Sequence, residues 1–392
     1  MDMNHEINRL TNEITESVIE IRRKIHQNPE LGFEELETSK LIADALQGMG
    51  ILQRTGVGGT GVIGVIKGTG PGKTVAIRSD MDAMPIHEES GVPFESKVPG
   101  KMHACGHDAH IAITLGVAMV LHKMRSTFNG QIKLIFQPSE ENLAGAKAMI
   151  ADGALDDPAI DYILGYHNWP PLDAGKVAFH RDVVFAASDH FDITLSGKQG
   201  HSAHPHTAVD TITYAAYFIT QLQSLVSREI LPAAPVAISI GKIEGGIARN
   251  VIGGKVRLCG EVRGQSPEVM KQVETAIRRM LDGCKTSMRI DYELDYCNVV
   301  PALRNNKEVM ESVLRSARQI LGEESVVEMP YSSMGSEDLV YFTQRIPSAH
   351  LRIGSKVDGL DTMMHMPNYQ CNELAIPTGI RAFSMAIVNL LN

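Results

Sequence analysis

Helical and strand-like patterns alternate along the first part of this chain, and that alternation constrains its fold more than any other feature. Apolar residues at helical spacing predict helices over residues 4–27, 34–49 and 108–124. Short β-branched or apolar runs predict strands at residues 62–66, 74–77, 131–136 and 160–164. Since strands that alternate with helices usually form one sheet covered by helices, we expect an α/β fold with a mixed, mostly parallel sheet.

The pattern changes near residue 183 and changes back after Pro301. Between these positions, alternating strands and two long helices predict a small α+β domain with one exposed sheet face. A chain of 392 residues is also too long for a single compact core. We therefore expect a discontinuous domain of residues 1–182 and 299–392, with residues 183–298 inserted into it as a second domain.

Composition excludes several classes of partner. The net charge is −9 and there is no long Lys/Arg run, so we expect no nucleic acid and no membrane surface as a partner. The longest apolar run, residues 111–121, is too short to span a bilayer. The polar N-terminus lacks the features of a signal peptide, and five scattered cysteines suggest reduced thiols. These features favour a cytoplasmic protein.

Four segments are rich in the side chains that bind metal ions. Three of them come at or after predicted strands, and the fourth opens the helix predicted from Asp108. They are residues 78–82, 102–110, 137–141 and 165–169. Because the carboxyl ends of parallel strands lie at one edge of a sheet, we expect these segments to meet there. Thiolate, imidazole and carboxylate together favour zinc or manganese, and Gly106 allows the residues on either side of it to approach one ion.

The adjacent carboxylates Glu140 and Glu141 suggest what such a site does. One could bind the metal while the other accepts a proton from water, which is the division of labour in metal-assisted hydrolysis. A cysteine hydrolase with Cys105 as nucleophile and His107 or His110 as base is an alternative. It leaves both glutamates without a role. A metal-storing or ligand-sensing protein without turnover is a second alternative.

The ordered set of motifs resembles the M20 metallopeptidase family, and within it the amidohydrolase branch of aminoacylases, hippurate hydrolases and auxin–amino acid conjugate hydrolases. The resemblance covers nearly the whole chain and includes the sequence CGHDAH at residues 105–110 and GHSAHPH at residues 200–206. The other matching segments are residues 26–33, 80–83, 140–141, 166–167, 249–252, 335–338 and 365–367.

The resemblance implies a site for two divalent ions, manganese or zinc, with cobalt or nickel as further options. The implied ligands are Cys105, His107, Glu141, His167 and His365, with the cysteine bridging the two ions. Glu140 corresponds to the general base. Asp82 corresponds to a residue that orients a ligand. Asp80 stands where other branches carry a metal-binding histidine, and we assign it no role.

The resemblance further implies that residues 183–298 form a lid and dimerisation domain, so we expect a homodimer or a dimer-based oligomer. His201 corresponds to a residue that donates a hydrogen bond to the developing oxyanion, within the chain or across the dimer. His201 and Asn250 would contact the substrate, with Arg249 or Arg263 as further candidates for its carboxylate. The implied reaction is hydrolysis of an N-acyl amino acid (acetyl, aroyl or indoleacetyl) to a carboxylic acid and a free amino acid. A dipeptidase or a specific N-acetyl-amino-acid deacetylase is the alternative.

Overall fold

The structure is a computed structural model that describes residues 2–392. The helices, in chain order, are α1 Met3–His26, α2 Leu36–Gly48, α3 His107–Lys123, α4 Gly145–Ala151, α5 Thr211–Arg228, α6 Pro267–Met288, α7 Lys307–Leu321, α8 Val340–Thr343 and α9 Ala375–Leu391. Within residues 2–392, no helix combines the length and the apolar content needed to cross a membrane.

The strands, in chain order, are β1 Leu52–Val57, β2 Gly61–Lys67, β3 Thr74–Asp80, β4 Gln131–Gln137, β5 Tyr162–Trp169, β6 Val177–Phe179, β7 Val183–Phe185, β8 Ala187–Ser196, β9 Gly200–His201, β10 Val236–Gly245, β11 Val251–Ile252, β12 Lys255–Gly264, β13 Asp291–Val300, β14 Leu303–Arg304, β15 Val326–Glu328 and β16 Ser348–Gly354.

The chain divides into two compact units. The first comprises Met1–Val184, Arg304–Tyr331 and Glu337–Asn392, and the second comprises Phe185–Leu303 and Ser332–Ser336. The sequence pattern places the boundaries of the inserted domain at 182/183 and 298/299. It gives no sign that the short segment Ser332–Ser336 belongs with the second unit. The lid and dimerisation role of the second unit stays a prediction.

The first unit is built on an eight-stranded sheet with the order β1-β2-β4-β3-β5-β16-β6-β15. The four neighbouring strands β4, β3, β5 and β16 at its centre are all parallel, whereas β2 and β6 join this group as antiparallel neighbours. This arrangement confirms the predicted α/β class with a mixed, mostly parallel sheet. Helix α3 contacts the sheet as well as α1 and α9, which explains why α3 is apolar on almost every face.

The carboxyl end of β5 differs from the prediction. The sequence pattern predicts a strand at residues 160–164 that Gly165 ends, with His167 after it, but β5 continues to Trp169 and contains His167. Gly165 permits close packing within the strand: a Cβ atom there would lie 2.2 Å from Leu339 Cδ2. Gly165 therefore makes room for a neighbouring side chain and does not end the strand.

The second unit has a four-stranded antiparallel sheet with the order β10-β12-β8-β13 and helices α5 and α6 packed against it. The β8 residues Phe191, Ile193 and Leu195 join its core, while Asp192 and Thr194, which alternate with them, are only half-buried. The sequence pattern predicts a helix over residues 267–281 and a strand near 288–294. Helix α6 instead extends to Met288 and ends at Arg289, which is in the left-handed conformation (φ 58°).

A buried ionic cluster joins α1 to the first turn of α3. Arg22 Nε donates to Asp108 Oδ2 over 2.7 Å. The ring of His26 lies between two carboxylates, with Nδ1 2.9 Å from Asp108 and Nε2 3.0 Å from Glu88. Since carboxylates accept hydrogen bonds, this geometry favours the imidazolium, which donates from both nitrogens.

The cluster predicts a pH-dependent contribution to stability. Burial lowers the pKa of His26, but Asp108 and Glu88 raise it by more, so the net pKa lies above its ordinary value. The contribution of His26 is therefore full below about pH 6.5 and is lost as pH rises through the raised pKa, by at most about 1.4 kcal/mol per pH unit. The difference in unfolding free energy between wild type and His26→Gln should shrink as pH rises in urea titrations. A difference that does not change with pH would contradict the prediction.

Candidate metal centre

The segment from Cys105 to His107 makes a tight turn before α3, and its shape depends on Gly106. Gly106 has φ +85° and is the N-cap of α3. A Cβ atom on it would lie 2.3 Å from Asn168 Nδ2 and 2.5 Å from Tyr369 Oη. Asn168 Nδ2 also donates to the Cys105 carbonyl over 2.6 Å. The buried amide and phenol therefore fit closely under the turn, and only glycine leaves them space.

This packing makes Gly106→Ala a sensitive substitution. The left-handed backbone alone should lower the free energy of unfolding by about 1–3 kcal/mol, and displacement of Asn168 should add to that loss. Gly91→Ala is the matched control because Gly91 also has positive φ (72°) and a Cβ atom there would meet nothing within 4 Å. Urea unfolding should show a larger loss for the Gly106 variant than for the Gly91 variant. Equal losses would show that the contacts with Asn168 and Tyr369 are unimportant.

Two histidines of the site use the same nitrogen, Nδ1, to bind a backbone carbonyl oxygen. His107 Nδ1 lies 2.9 Å from the Asp82 carbonyl oxygen, and His167 Nδ1 lies 2.8 Å from the Asn168 carbonyl oxygen. Because a carbonyl oxygen can only accept, each Nδ1 carries a proton, so only Nε2 of each ring could bind a metal ion. An oxygen that accepts from the far nitrogen is the usual arrangement around a metal-binding histidine.

The predicted ligands form two overlapping groups that share Cys105. Cys105, His107 and His167 form one group, and Cys105, Glu141 and His365 form the other, with the ligand atoms of each group within 4.8 Å of one another. Cys105 Sγ lies 3.3 Å from His167 Nε2, and Glu141 Oε1 lies 3.4 Å from His365 Nε2. The structure therefore brings together all five residues that the family resemblance implies as ligands.

The chemistry of this donor set fits divalent ions. Among residues 2–392, His107 Nε2 and Glu141 Oε1 are buried with no hydrogen-bond partner. The two atoms lie 3.9 Å apart. Buried acceptors without a partner are unfavourable, and a shared cation would satisfy both. Sulfur, nitrogen and oxygen ligands together suit first-row transition ions.

The thiol of Cys105 behaves differently from the sequence-based expectation. Its place before a helix predicts a bias toward thiolate, but burial together with Glu141, Glu140 and Asp80 raises the pKa of Cys105 well above its ordinary value. The imidazole of His167 contacts its sulfur, with Nε2 at 3.3 Å, and the cysteine-hydrolase alternative does not use His167. These surroundings disfavour a free nucleophilic thiolate and favour a thiolate that forms with a bound cation.

Glu140 lies beside the ligands in a buried position, only 7 % exposed. Its carboxylate is within 4.8 Å of ligand atoms of His107 and Glu141. Burial raises the pKa of Glu140 well above its ordinary value, and Glu337 and Glu141 raise it further. A carboxyl group with a raised pKa next to a metal site is suited to take up and release a proton.

Sequence reasoning missed a buried polar network at the end of β3. Arg78 lies 2.9 Å from Asp80, 2.7 Å from Asp338 and 3.1 Å from Glu337. Burial raises the pKa of Asp338 to about 7, although Arg78 opposes that shift. The resemblance includes Glu337 and Asp338 but supplies no role for them. The sequence signal that could have indicated this network is Arg78, a charged residue inside a buried strand.

Asp80, which received no role, is part of this network. Asp80 Oδ1 lies 2.5 Å from His110 Nδ1, and His110 Nε2 accepts from the Asn168 backbone N–H over 3.0 Å. The proton of His110 is therefore on Nδ1 and is donated to Asp80. Both nitrogens of His110 are engaged, so His110 orients Asp80 and does not present a free nitrogen.

The predicted substrate residues lie in the second unit. His201 in β9 pairs with Val251 in β11, and Ser202 N donates to the Asn250 carbonyl over 3.1 Å, so His201 and Asn250 are close neighbours. Arg263, a further candidate, lies 2.7 Å from Glu261 and donates to the Met334 carbonyl over 2.9 Å. Its guanidinium is thus already engaged within the second unit.

Comparisons with known proteins agree with this site. The model of peptidase family M20/M25/M40 matches residues 76–389. The chain is 38% identical to the IAA-amino acid hydrolase ILR1-like 2 of Arabidopsis thaliana over 97% of this chain and 86% of that protein. It is 36% identical to the N-acetyl-L-cysteine deacetylase of Bacillus subtilis over 93% of this chain and 85% of that protein.

A solved structure shows the same architecture. The Bacillus subtilis YXEP protein, described as a dinuclear metal binding peptidase from the M20 family, matches with a TM-score of 0.84 and 30% identity over 97% of this chain and 99% of that chain. The fold and site define a metal-binding hydrolase that acts on amide bonds. The chain belongs to peptidase family M20/M25/M40, and its overlapping ligand groups support two divalent ions.

Proposed function

We propose that this protein hydrolyses the amide bond of N-acyl amino acids. The observation that carries the proposal is the pair of ligand groups that share Cys105, with Glu140 beside them. Two of the relatives above support the substrate class, since they are named for an IAA-amino acid conjugate and for N-acetyl-L-cysteine. The YXEP protein is described as a peptidase, so a dipeptide is the second candidate substrate.

The residues of the first unit divide into ligands and a base. The ligands in this proposal are Cys105, His107, Glu141, His167 and His365, which hold two manganese or zinc ions. When bound, the ions polarise the scissile carbonyl and lower the pKa of water. Glu140 takes a proton from the water that attacks the carbonyl carbon. It delivers that proton to the nitrogen as the C–N bond breaks, which leaves a carboxylic acid and a free amine.

His201 and Asn250 act on the substrate in this proposal. His201 Nδ1 accepts from the Ala203 N–H over 3.0 Å, so the ring carries its proton on Nε2 and can donate from there. That N–H suits the developing oxyanion, a contact worth about 3 kcal/mol. The side-chain amide of Asn250 would hold the carboxylate of the amino acid.

His201→Ala should therefore lower kcat by about a hundredfold and leave metal content unchanged. His206→Ala is the matched control, because His206 is exposed in the same loop and has no role in the proposal. Initial rates and elemental analysis of both variants check the prediction. Loss of metal in the His201 variant would place this histidine among the ligands, and unchanged kcat would remove its role.

We also propose that the second unit serves as lid and dimerisation domain in a cytoplasmic homodimer or dimer-based oligomer. Its surface carries large exposed apolar side chains, Tyr217, Ile243 and Ile247, of which Ile247 is 75 % exposed. These side chains are available for contact with a second copy of the chain. Sedimentation of the purified protein tests the oligomeric state, and a monomer at micromolar concentration would contradict it.

The experiment that tests the function is a substrate panel. Apo protein reloaded with manganese or zinc is given acetyl, benzoyl and indoleacetyl amino acids and plain dipeptides, and release of free amino acid is measured. We expect metal-dependent cleavage of N-acyl amino acids. Cleavage of dipeptides alone would favour the peptidase, and no cleavage with stoichiometric metal would contradict the proposal.

A further inference from the structure

The loop before α2 contains two glutamates with different tasks. Glu30 accepts hydrogen bonds from the backbone N–H groups of Leu36, Glu37 and Thr38, at 3.1, 3.1 and 2.9 Å. It therefore caps the amino terminus of α2. Glu35 occupies the N-cap position of α2 but makes no capping bond with its side chain. The Glu35 carboxylate is fully buried and points elsewhere.

Glu35 binds the turn that precedes the proposed base. One carboxylate oxygen accepts from the Ser139 N–H over 2.9 Å, and the other accepts from the Thr60 hydroxyl over 2.5 Å. Ser139 is in the left-handed conformation (φ 50°) and is followed directly by Glu140. Such a conformation persists in a non-glycine residue only when its surroundings hold it.

The same loop also holds the second polar segment of the site. Ala83 N donates to the Glu30 carbonyl over 2.8 Å, next to Asp82. A Cβ atom on Gly32 would lie 2.6 Å from Ser139 Oγ, so the loop packs closely against the Ser139 turn. Residues 30–35 thus contact the segment of Asp82 and the segment of Glu140 at once.

We propose that Glu35 is a positioning residue that fixes the Ser139 turn and thereby directs the carboxylate of Glu140. The inference rests on the proposed function, in which Glu140 is the base. Glu35 bonds to Ser139 and Thr60, neither of which is a proposed ligand, so the expected effect is on the direction of Glu140. Burial raises the pKa of Glu35 to about 7, which is the unfavourable consequence of placing a carboxyl group at this point.

The test compares Glu35→Met with Glu35→Gln. Methionine fills the space without an acceptor, so Ser139 loses its partner, whereas the glutamine oxygen can still accept from the Ser139 N–H. We expect Glu35→Met to lower kcat by about 10–100-fold with KM within about twofold and with full metal content. Glu35→Gln should restore most of kcat. Glu34→Ala, an exposed neighbour, should behave as wild type, and Glu30→Ala should lower Tm without lowering kcat.

Normal kcat in Glu35→Met would overturn the inference, and so would loss of metal, which would show that the substitution acts through metal binding and not through the direction of Glu140. Failure of Gln to restore kcat would also overturn it. If Glu35→Met does not fold, the variant Thr60→Val tests the inference instead. It removes the hydroxyl that binds one carboxylate oxygen of Glu35, so kcat should fall by a few-fold, and unchanged kcat would contradict the inference.

Glu140→Gln is measured alongside these variants. If it stays active, the proposed function fails; if it is inactive while Glu35→Met is normal, only this inference fails.

Discussion

Glu140→Gln should lower kcat by about 10²–10⁴-fold while the protein keeps its fold and its metal. Glutamine has the shape of glutamate but cannot accept a proton from water, so the substitution removes only the base. The neighbour supplies the contrast: Glu141→Gln changes a proposed ligand and should lose metal as well as activity. The measurements are initial rates, metal analysis and circular dichroism of both variants.

The two glutamates differ in their surroundings, which is why we expect the two variants to differ in metal content. Glu141 Oε1 lies 3.4 Å from His365 Nε2, while Glu140 lies against Glu337 and Asp338. Near-normal turnover in Glu140→Gln would remove Glu140 as base. Retention of all metal in Glu141→Gln would remove Glu141 as a ligand.

His107→Ala should lose bound metal and reduce activity to background. Its Nε2 is a buried acceptor without a partner within residues 2–392, and Asp82 already fixes the opposite nitrogen. The substitution therefore removes a ligand that the protein has oriented in advance. His122→Ala is the control, because His122 lies near the far end of the same helix.

Elemental analysis after dialysis measures the outcome for both histidine variants. The His122 variant should bind the wild-type amount of metal. If the His107 variant also retains that amount, the ligand assignment from the Cys105-centred groups is wrong. Circular dichroism shows whether α3 survives in both proteins, so that loss of metal is not confused with loss of the helix.

The parts of the fold that depend on local residue patterns could be predicted from the sequence. The alternation of helices and strands predicted the central sheet, and the change of pattern near residue 183 predicted a second unit. The end of β5 was not predictable, because the role of Gly165 depends on Leu339, which is distant in sequence. From the sequence alone, a glycine that ends a strand cannot be distinguished from a glycine that allows a neighbouring side chain to pack closely.

In the site, too, local motifs could be recognised from the sequence, whereas contacts between distant residues could not. Four of the five proposed ligands lie in short motifs that are rich in metal-binding side chains, whereas His365 lies outside them and enters the set only through the resemblance to the M20 family. The network around them joins residues far apart in the chain: Arg78 contacts Asp338 across 260 positions, and Ser139 contacts Glu35 across 104. Such partners become visible only when the strands and loops that carry them are placed in space.

The central claim is that two bound metal ions are required for amide hydrolysis. The most direct test titrates metal-free protein with manganese or zinc and follows release of free amino acid from the best N-acyl substrate of the panel. Activity should be absent without metal, rise with bound metal and level off near two ions per chain. Full activity in protein shown to be free of metal would contradict the account.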